Sequence, residues 1–252
     1  VKTGDLEIGG HVLTPALRAQ AATSADAAIA SLADLMGELP NSGGRTWEIA
    51  GGAPYISSNA NFGVSVSRYN SLYGVPNRYS LDPAVEAEAV RLDVKQTRVD
   101  VRGEINPAEG FLEAIRLRGG YADYRHNELE EDGTVGTTFN NIGTEARFEV
   151  VQRERNGWSG AIGAQFLFRK LNIVGAEKFL PPSKTRQFGI FTTQSFDMGA
   201  LRAEVGARIE HAIVSAAADA SLGNLDIKRR FTSYSLSLIH ISSPRDRTRS
   251  RM

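Results

Sequence analysis

Leu201-Arg202-Ala203-Glu204-Val205-Gly206-Ala207-Arg208-Ile209-Glu210 alternates apolar and charged residues almost without a break. Leu201, Ala203, Val205, Ala207 and Ile209 share one face; Arg202, Glu204, Arg208 and Glu210 share the other. A period of two marks a β-strand, not a helix. The same grammar recurs upstream. Trp158, Ile162, Ala164, Phe166 and Phe168 form one such face. Ala146, Phe148 and Val150 oppose Glu145, Arg147 and Glu149, and Ile115, Leu117, Gly119 and Tyr121 oppose Arg116 and Arg118. In residues 99–105 the odd positions are apolar, whereas Val90, Leu92 and Val94 run in the opposite phase. That change of phase predicts a bulge or twist near residues 95–97.

Alternation alone fits a soluble sandwich, with its polar face in bulk water, and a membrane barrel, with its polar face lining a wet lumen. The connections separate the two. Short turns at residues 106–110, 153–157 and 197–199 join strands into pairs, and longer stretches at 70–89, 126–143, 171–184 and 212–228 lie between the pairs. Short turns alternating with long loops are the rhythm of outer-membrane barrels. Tyr69, Tyr73, Tyr121, Tyr124, Trp158 and Phe196 fall near strand ends, where an aromatic girdle would lie. The fold expected is all-β: an antiparallel transmembrane β-barrel. With room for only about nine or ten strands, it is incomplete, part of a larger barrel.

Composition agrees with this and excludes several classes. Lys plus Arg and Asp plus Glu both number 29, so no global charge calls for nucleic acid. There are no cysteines, which removes disulfides, thiol catalysis and Cys-based metal sites. No run of about eighteen apolar residues exists, so a membrane helix is not expected; barrel strands carry no such run. The chain begins at Val1 without a signal peptide, which suggests that an N-terminal part is missing or removed.

Two segments depart from the strand grammar. Residues 24–39 are Ala-rich, with Ile29, Leu32, Ala33 and Met36 at helical spacing, Ser24 as N-cap and Pro40 at the exit, predicting a short loop helix. The barrel is expected over residues 1–235. Residues 236–252 read differently: Leu236 to Ser242, with the following Ser243-Pro-Arg-Asp246 and Arg249-Ser-Arg-Met252, resemble a translated sequencing adaptor, a non-native tail. Arg245, Arg247, Arg249 and Arg251 crowd there without an aromatic platform for nucleic acid, so no nucleic-acid partner is expected.

No nucleophile elbow, phosphate-cradling loop, H-E-x-x-H or dinucleotide fingerprint occurs, so no enzyme is expected. The four histidines, His11, His126, His211 and His240, have no second His at ligand spacing, so neither a resident metal site nor a cofactor is assigned. The candidates for ligand contact are His126, Glu128, Glu130, Glu131 and Asp132, one imidazole and four carboxylates that could meet a divalent cation. The alternative is a solvated acidic loop tip closing on the Asp132-Gly133 turn.

Specific words in the sequence carry a resemblance. Tyr69-Asn-Ser-Leu-Tyr-Gly-Val-Pro76, Val90-Arg-Leu-Asp-Val-Lys-Gln-Thr-Arg98, Asp100-Val-Arg-Gly-Glu104, Arg116-Leu-Arg-Gly-Gly-Tyr-Ala-Asp-Tyr124, Val135-Gly-Thr-Thr-Phe139, Gly157-Trp-Ser-Gly-Ala-Ile-Gly163 and Phe179-Leu-Pro-Pro182 with Thr185-Arg186 resemble the TonB-dependent receptor family. The branch is one that includes zinc-uptake receptors. The resemblance implies a barrel of about 22 strands with a plugged lumen, set in outer-membrane lipid. It also implies import of a scarce nutrient, a metal ion or a metal chelate such as a siderophore, driven by the TonB complex through the plug. No plug or TonB box is recognisable here, so the chain reads as a fragment. The external loop that carries histidines in the zinc-uptake branch corresponds to residues 77–88, which contain none; this weighs against zinc, since imidazole is its natural ligand. A passive porin-type barrel and a soluble β-sandwich binding module remain the alternatives.

Overall fold

The computed structural model describes residues 1–76, 79–82, 89–199 and 201–242. The arginines of the tail and most of the 77–88 loop lie outside these residues. The chain runs β1 (Lys2–Thr3), β2 (Leu6–His11), α1 (Pro15–Ala22), α2 (Ala27–Ser31), a 3-10 turn (Leu32–Asp34) and β3 (Met36–Leu39). Nine long strands follow: β4 (Gly44–Ile56), β5 (Ala60–Gly74), β6 (Arg91–Ile105), β7 (Leu112–Leu129), β8 (Val135–Arg155), β9 (Trp158–Gly175), β10 (Ser183–Asp197), β11 (Leu201–Ala216) and β12 (Ile227–Ser242). β1 and β4 to β12 form one ten-stranded antiparallel sheet in chain order, while β2 and β3 pair separately. Among the described residues β12 pairs only with β11, and the sheet does not close.

Register turns the alternation into two surfaces, because directly opposite residues share a face. Val99, Val101 and Ile105 stand beside Tyr121, Gly119 and Ile115. Those stand beside Thr144, Ala146 and Val150 on β8, which meet Phe168, Phe166 and Ile162 on β9, then Arg186, Phe188 and Thr192 on β10. The other face carries Arg98, Asp100, Arg102 and Glu104 of β6, Arg116 and Arg118 of β7, Glu145, Arg147 and Glu149 of β8, and Arg208 and Glu210 of β11. A cleft of about 630 Å³ on the polar side draws residues from β4 through β9, so the sheet curls with its polar face inward.

On β9 the apolar face runs from Trp158 to Phe168. At about 3.3 Å per residue and a tilt of about 40°, that stretch is about 25 Å tall, the height of the apolar band of an outer-membrane barrel. Its short-turn rim carries Phe111, Trp158 and Phe196; Trp158 lies 6.3 Å from each of the other two, stacked on Phe196 and edge-on to Phe111. Beyond Tyr121 and Phe168 at the other rim, the outward face becomes polar, with Arg68, Lys95, Arg125, Lys170 and Lys184. No helix is long and apolar enough to cross a membrane, which says nothing of strands.

Several expectations need correction. No bulge occurs at residues 95–97: β6 keeps an unbroken register with both neighbours from Arg91 to Ile105. Leu92 and Val94 therefore face inward, and the change of phase is a change of environment. The connection expected over 126–143 shrinks to residues 130–134, because β7 and β8 extend beyond the apolar band. Out there the contrast of apolar outward and polar inward is lost, so pairing continues where the alternation that reveals it has ended. Tyr69, Tyr73 and Tyr124 belong to the inward face and not to the girdle, since Tyr69 and Tyr124 both stand opposite Gln96.

The helix expected over 24–39 is only α2 and the 3-10 turn. Asp26 is the cap, accepting from the amides of Ala28 and Ile29 at 2.8 and 3.3 Å, while Ser24 accepts only from the Asp26 amide. Met36–Leu39 pairs as β3 with β2, and α1, with Thr14 as cap, went unread. This excursion between β1 and β4 is closed at its base: the Asp5 carboxylate accepts from the amides of Ser42 and Gly43. Asn41 reaches on to the next loop, its side-chain amide donating to the carbonyls of Val75 and Val90, both at 2.8 Å. β12 continues through the stretch expected to be non-native: Tyr234, Leu236 and Leu238 share the outward face, but Ile239 falls on the inward one.

The turn at Asn156 and Gly157 has positive φ at both residues (53° and 78°), the backbone of a two-residue hairpin of matching twist. Gly163 serves differently. A Cβ there would collide with the Phe191 ring and the Phe148 carbonyl, so its absence lets that ring lie flat on the inward face. Arg147 covers the ring at 4.2 Å and Arg208 at 5.9 Å. Gly163→Val is expected to expel Phe191 and destabilise the sheet by about 1–3 kcal/mol, read as a lower denaturation midpoint of the folded protein; an unchanged midpoint would contradict this packing.

Candidate functional site

The inward face has two zones. Nearer the short turns is a charged ladder. Arg98 holds Asp100 through two hydrogen bonds of 2.7 Å, Arg116 holds Glu104 at 2.7 Å, and Arg147 holds Glu149 at 2.6 Å. Arg208 pairs with Glu210, which also accepts from Gln187. These side chains are partly exposed, so each pair contributes only about 0–1 kcal/mol; their effect is to make the wall wettable. Arg102, Arg118 and Arg147 stand opposite one another on three adjacent strands. Among the described residues Arg102 and Arg118 take part in no salt bridge, and both line the 630 Å³ cleft.

Nearer the long loops the same face turns aromatic. Ser71, Val94, His126, Phe139 and Ile173 form one row across β5 to β9. Val94 is 6% exposed, Ser71 2% and Ile173 1%, unusual burial on a face that is elsewhere wet. The rings of His126 and Phe139 stack at 4.3 Å, and Tyr124 meets His126 edge-on at 5.6 Å with its hydroxyl 3.0 Å from Nδ1. Phe179, from the β9–β10 loop, approaches Phe139 at 6.1 Å. The loop is anchored there by the Glu177 amide, which donates to Thr137 Oγ1 at 3.1 Å.

The sequence candidates divide. His126 lies within this aromatic shelf. Glu128 is the next inward residue on β7; its Oε2 is buried and has no hydrogen-bond partner among the described residues. Glu130 begins the turn, its backbone bonding to Gly133 and Thr134. Glu131 is exposed at the tip. Asp132 turns back on its own loop, accepting from the amide and hydroxyl of Thr134 at 2.8 and 2.7 Å, bonds that hold its carboxyl below the usual range. Among the described residues no group of three or more His, Asp and Glu side chains is arranged to hold a metal ion. Sequence reading missed Phe139 as the ring stacked on His126, and Ile173 and Phe179 as the neighbours of Phe139. The signal was present in the phase change at Leu92 and Val94, which marks apolar residues turned inward.

No family model matches the chain. Solved structures do resemble it in fold. The FrpB iron transporter from Neisseria meningitidis (F3-3 variant) superposes with a TM-score of 0.68 at 11% identity, over 97% of this chain and 40% of that one. For the copper transporter OprC the values are 0.65 and 11%, over 82% and 35%. For the alcaligin outer-membrane receptor FauA from Bordetella pertussis they are 0.62 and 15%, over 83% and 34%. The chain thus spans between about a third and two-fifths of the length of these proteins. It has the fold of part of their barrel wall.

The long loops are also tied to each other. Lys178 of the β9–β10 loop pairs with Asp219 of the β11–β12 loop, and with the Ser221 hydroxyl it holds that carboxyl below its ordinary range. A lowered carboxyl contributes above its unfolded pKa, about 3.9, and the contribution is lost as pH falls through the folded value. Amide exchange in residues 217–226 is therefore expected to speed up, relative to the strands, on acidification below about pH 4. Lys178→Met should give that faster exchange already at neutral pH; equal exchange in both proteins would contradict the tie.

Proposed function

We propose that this chain is part of the barrel wall of an outer-membrane receptor that imports a scarce nutrient, a metal ion or metal chelate, by energy-coupled transport. The observation that carries the reading is the combination of an outward apolar band of bilayer height with a charged, wettable inward face that ends in a roofed aromatic shelf. The fold neighbours, transporters of iron and copper and a receptor for alcaligin, point the same way. So do the sequence words that resemble TonB-dependent receptors. In this reading the ladder from Arg98 to Glu210 faces a plug, and the plug links the wall to the TonB complex.

The substrate reading favours a chelate over a bare ion. Aromatic rings with a few convergent polar groups suit a small organic molecule, and Tyr69, Tyr73, Tyr124, His126 and Phe139 provide that mixture. His126 and Glu128 would contact the ligand from the wall; Glu130, Glu131 and Asp132 would contact it from the rim. The boundary at residue 235, with 236–252 non-native, is supported by Ile239 standing out of phase on the polar face.

Three measurements test these claims. Ile162→Arg, in the middle of the apolar band, is expected to cost about 2–4 kcal/mol in denaturant titrations of the protein in bilayers, whereas Thr193→Arg on the wet face changes little; equal costs would argue for a soluble sandwich. In cells expressing the natural gene, uptake of a labelled ferric chelate is expected to stop when TonB is deleted. Uptake unaffected by that deletion would identify a passive porin. Phe139→Ala combined with Tyr124→Ala should weaken chelate binding by about tenfold, in the range of removing one or two aromatic contacts.

A further inference from the structure

Charge is distributed differently on the two faces. The inward face carries both signs, several of them paired, as in Arg98 with Asp100 and Arg147 with Glu149. The outward face of β9 to β12 does not. Lys170, Lys184, Ser215 and Lys228 form one row across these four adjacent strands. One step toward the apolar band, Phe168, Arg186, Ile213 and Arg230 form the next. Lys170 and Lys184 stand directly opposite each other, a like-charge pairing that is destabilising by itself.

No outward position of β9 to β12 carries Asp or Glu. Among the described residues none of the five cations makes a salt bridge, and Arg186 only leans over the Phe168 ring at 5.9 Å. Of the loop carboxylates, Asp219 pairs with Lys178, while Asp226 accepts from the amide of Ala218 and lines the same cleft as Lys170, Lys184 and Lys228, one anion against three cations. Four strands about 4.8 Å apart make the patch about 15 Å wide. Its position is as informative as its sign. It sits on the upper rim of the apolar band, directly above Phe166, Phe188, Ile190 and Ile209, where acyl chains end and headgroups begin.

We infer that Lys170, Lys184, Arg186, Lys228 and Arg230 form a docking site for the phosphate-bearing headgroup of a membrane lipid in the leaflet on the long-loop side. Phosphate oxygens supply the anions that the row lacks, with Lys as point charges and the Arg forks as bidentate partners. The apolar rows below hold the acyl chains of the same molecule, which a free phosphate would not use. The inference rests on the membrane-barrel reading proposed above.

The full chain, inserted into vesicles of phosphatidylcholine alone or with a fifth of the lipid replaced by phosphatidic acid, distinguishes the cases. Released by mild detergent, the protein is expected to retain phosphatidic acid in native mass spectra. Lys170→Gln with Lys184→Gln and Lys228→Gln is expected to lower that retention at least about tenfold, given about fivefold per cation near an anionic surface. Lys95→Gln with Arg125→Gln, on the same outward rim but on β6 and β7, outside the patch, serves as a control for general loss of charge and should change it far less. Equal retention by the triple variant, or no preference over phosphatidylcholine, would overturn the site. Displacement of the lipid by millimolar inorganic phosphate alone would overturn the lipid as its occupant. Failure to enter vesicles of either composition would instead reject the membrane reading itself.

Discussion

A backbone amide in hydrocarbon has no water to turn to, and in the membrane-wall reading proposed above this constraint organises the chain. Each unpaired N–H or C=O there costs several kcal/mol. The sheet meets the demand with continuous registers: β5, β6, β10 and β11 pair along nearly their whole length without a shift. Irregularities in this sheet fall at the ends of β7, β8 and β9: at 112–114 and 152–155 on the short-turn rim of the apolar band, and at 128–129 beyond it on the long-loop side. Side chains are then free to obey a second rule, apolar outward and polar inward, because they carry none of the pairing. The edge of β12, and that of β4 beyond its two-residue pairing with β1, are the places where the constraint is unmet among the described residues.

That division explains what was legible in the sequence. Inside the band the two faces see opposite solvents, so residues 201–210 or 158–168 announce both strand and face. Above it, both faces are polar or both partly apolar, and the pattern fades while the hydrogen bonds do not. Residues 126–143 were therefore read as a loop although most of them are strand. Leu92 and Val94 were read as a kink for the related reason that an inward apolar residue mimics a slip in phase. The small α1 and β2–β3 units were hidden because a few residues of helix or hairpin carry too little periodicity to stand out.

The candidate site was half visible for the same reason. His126 and Glu128 could be picked out as chemistry-bearing residues. Their partners could not, because Phe139 comes from another strand and meets His126 only through register, as Ile173 in turn meets Phe139. A tyrosine near a strand end has two homes, the lipid interface and the lumen, and parity within the strand decides between them. Tyr121 and Tyr124 are three residues apart and consequently face opposite ways.

The Asn41 side chain bears on how such a wall could change over time. By holding the carbonyls of Val75 and Val90 together, alongside the bond from the Val75 amide to Val90, it fastens shut the neck of the β5–β6 connection from outside that connection. Once the neck is fixed, lengthening the chain beyond it adds only loop-closure entropy, about 0.6 kcal/mol for each doubling. The strands below would not sense the difference. The register of the strands is thereby set at the neck, and the length of chain beyond it can change while that register stays as it is.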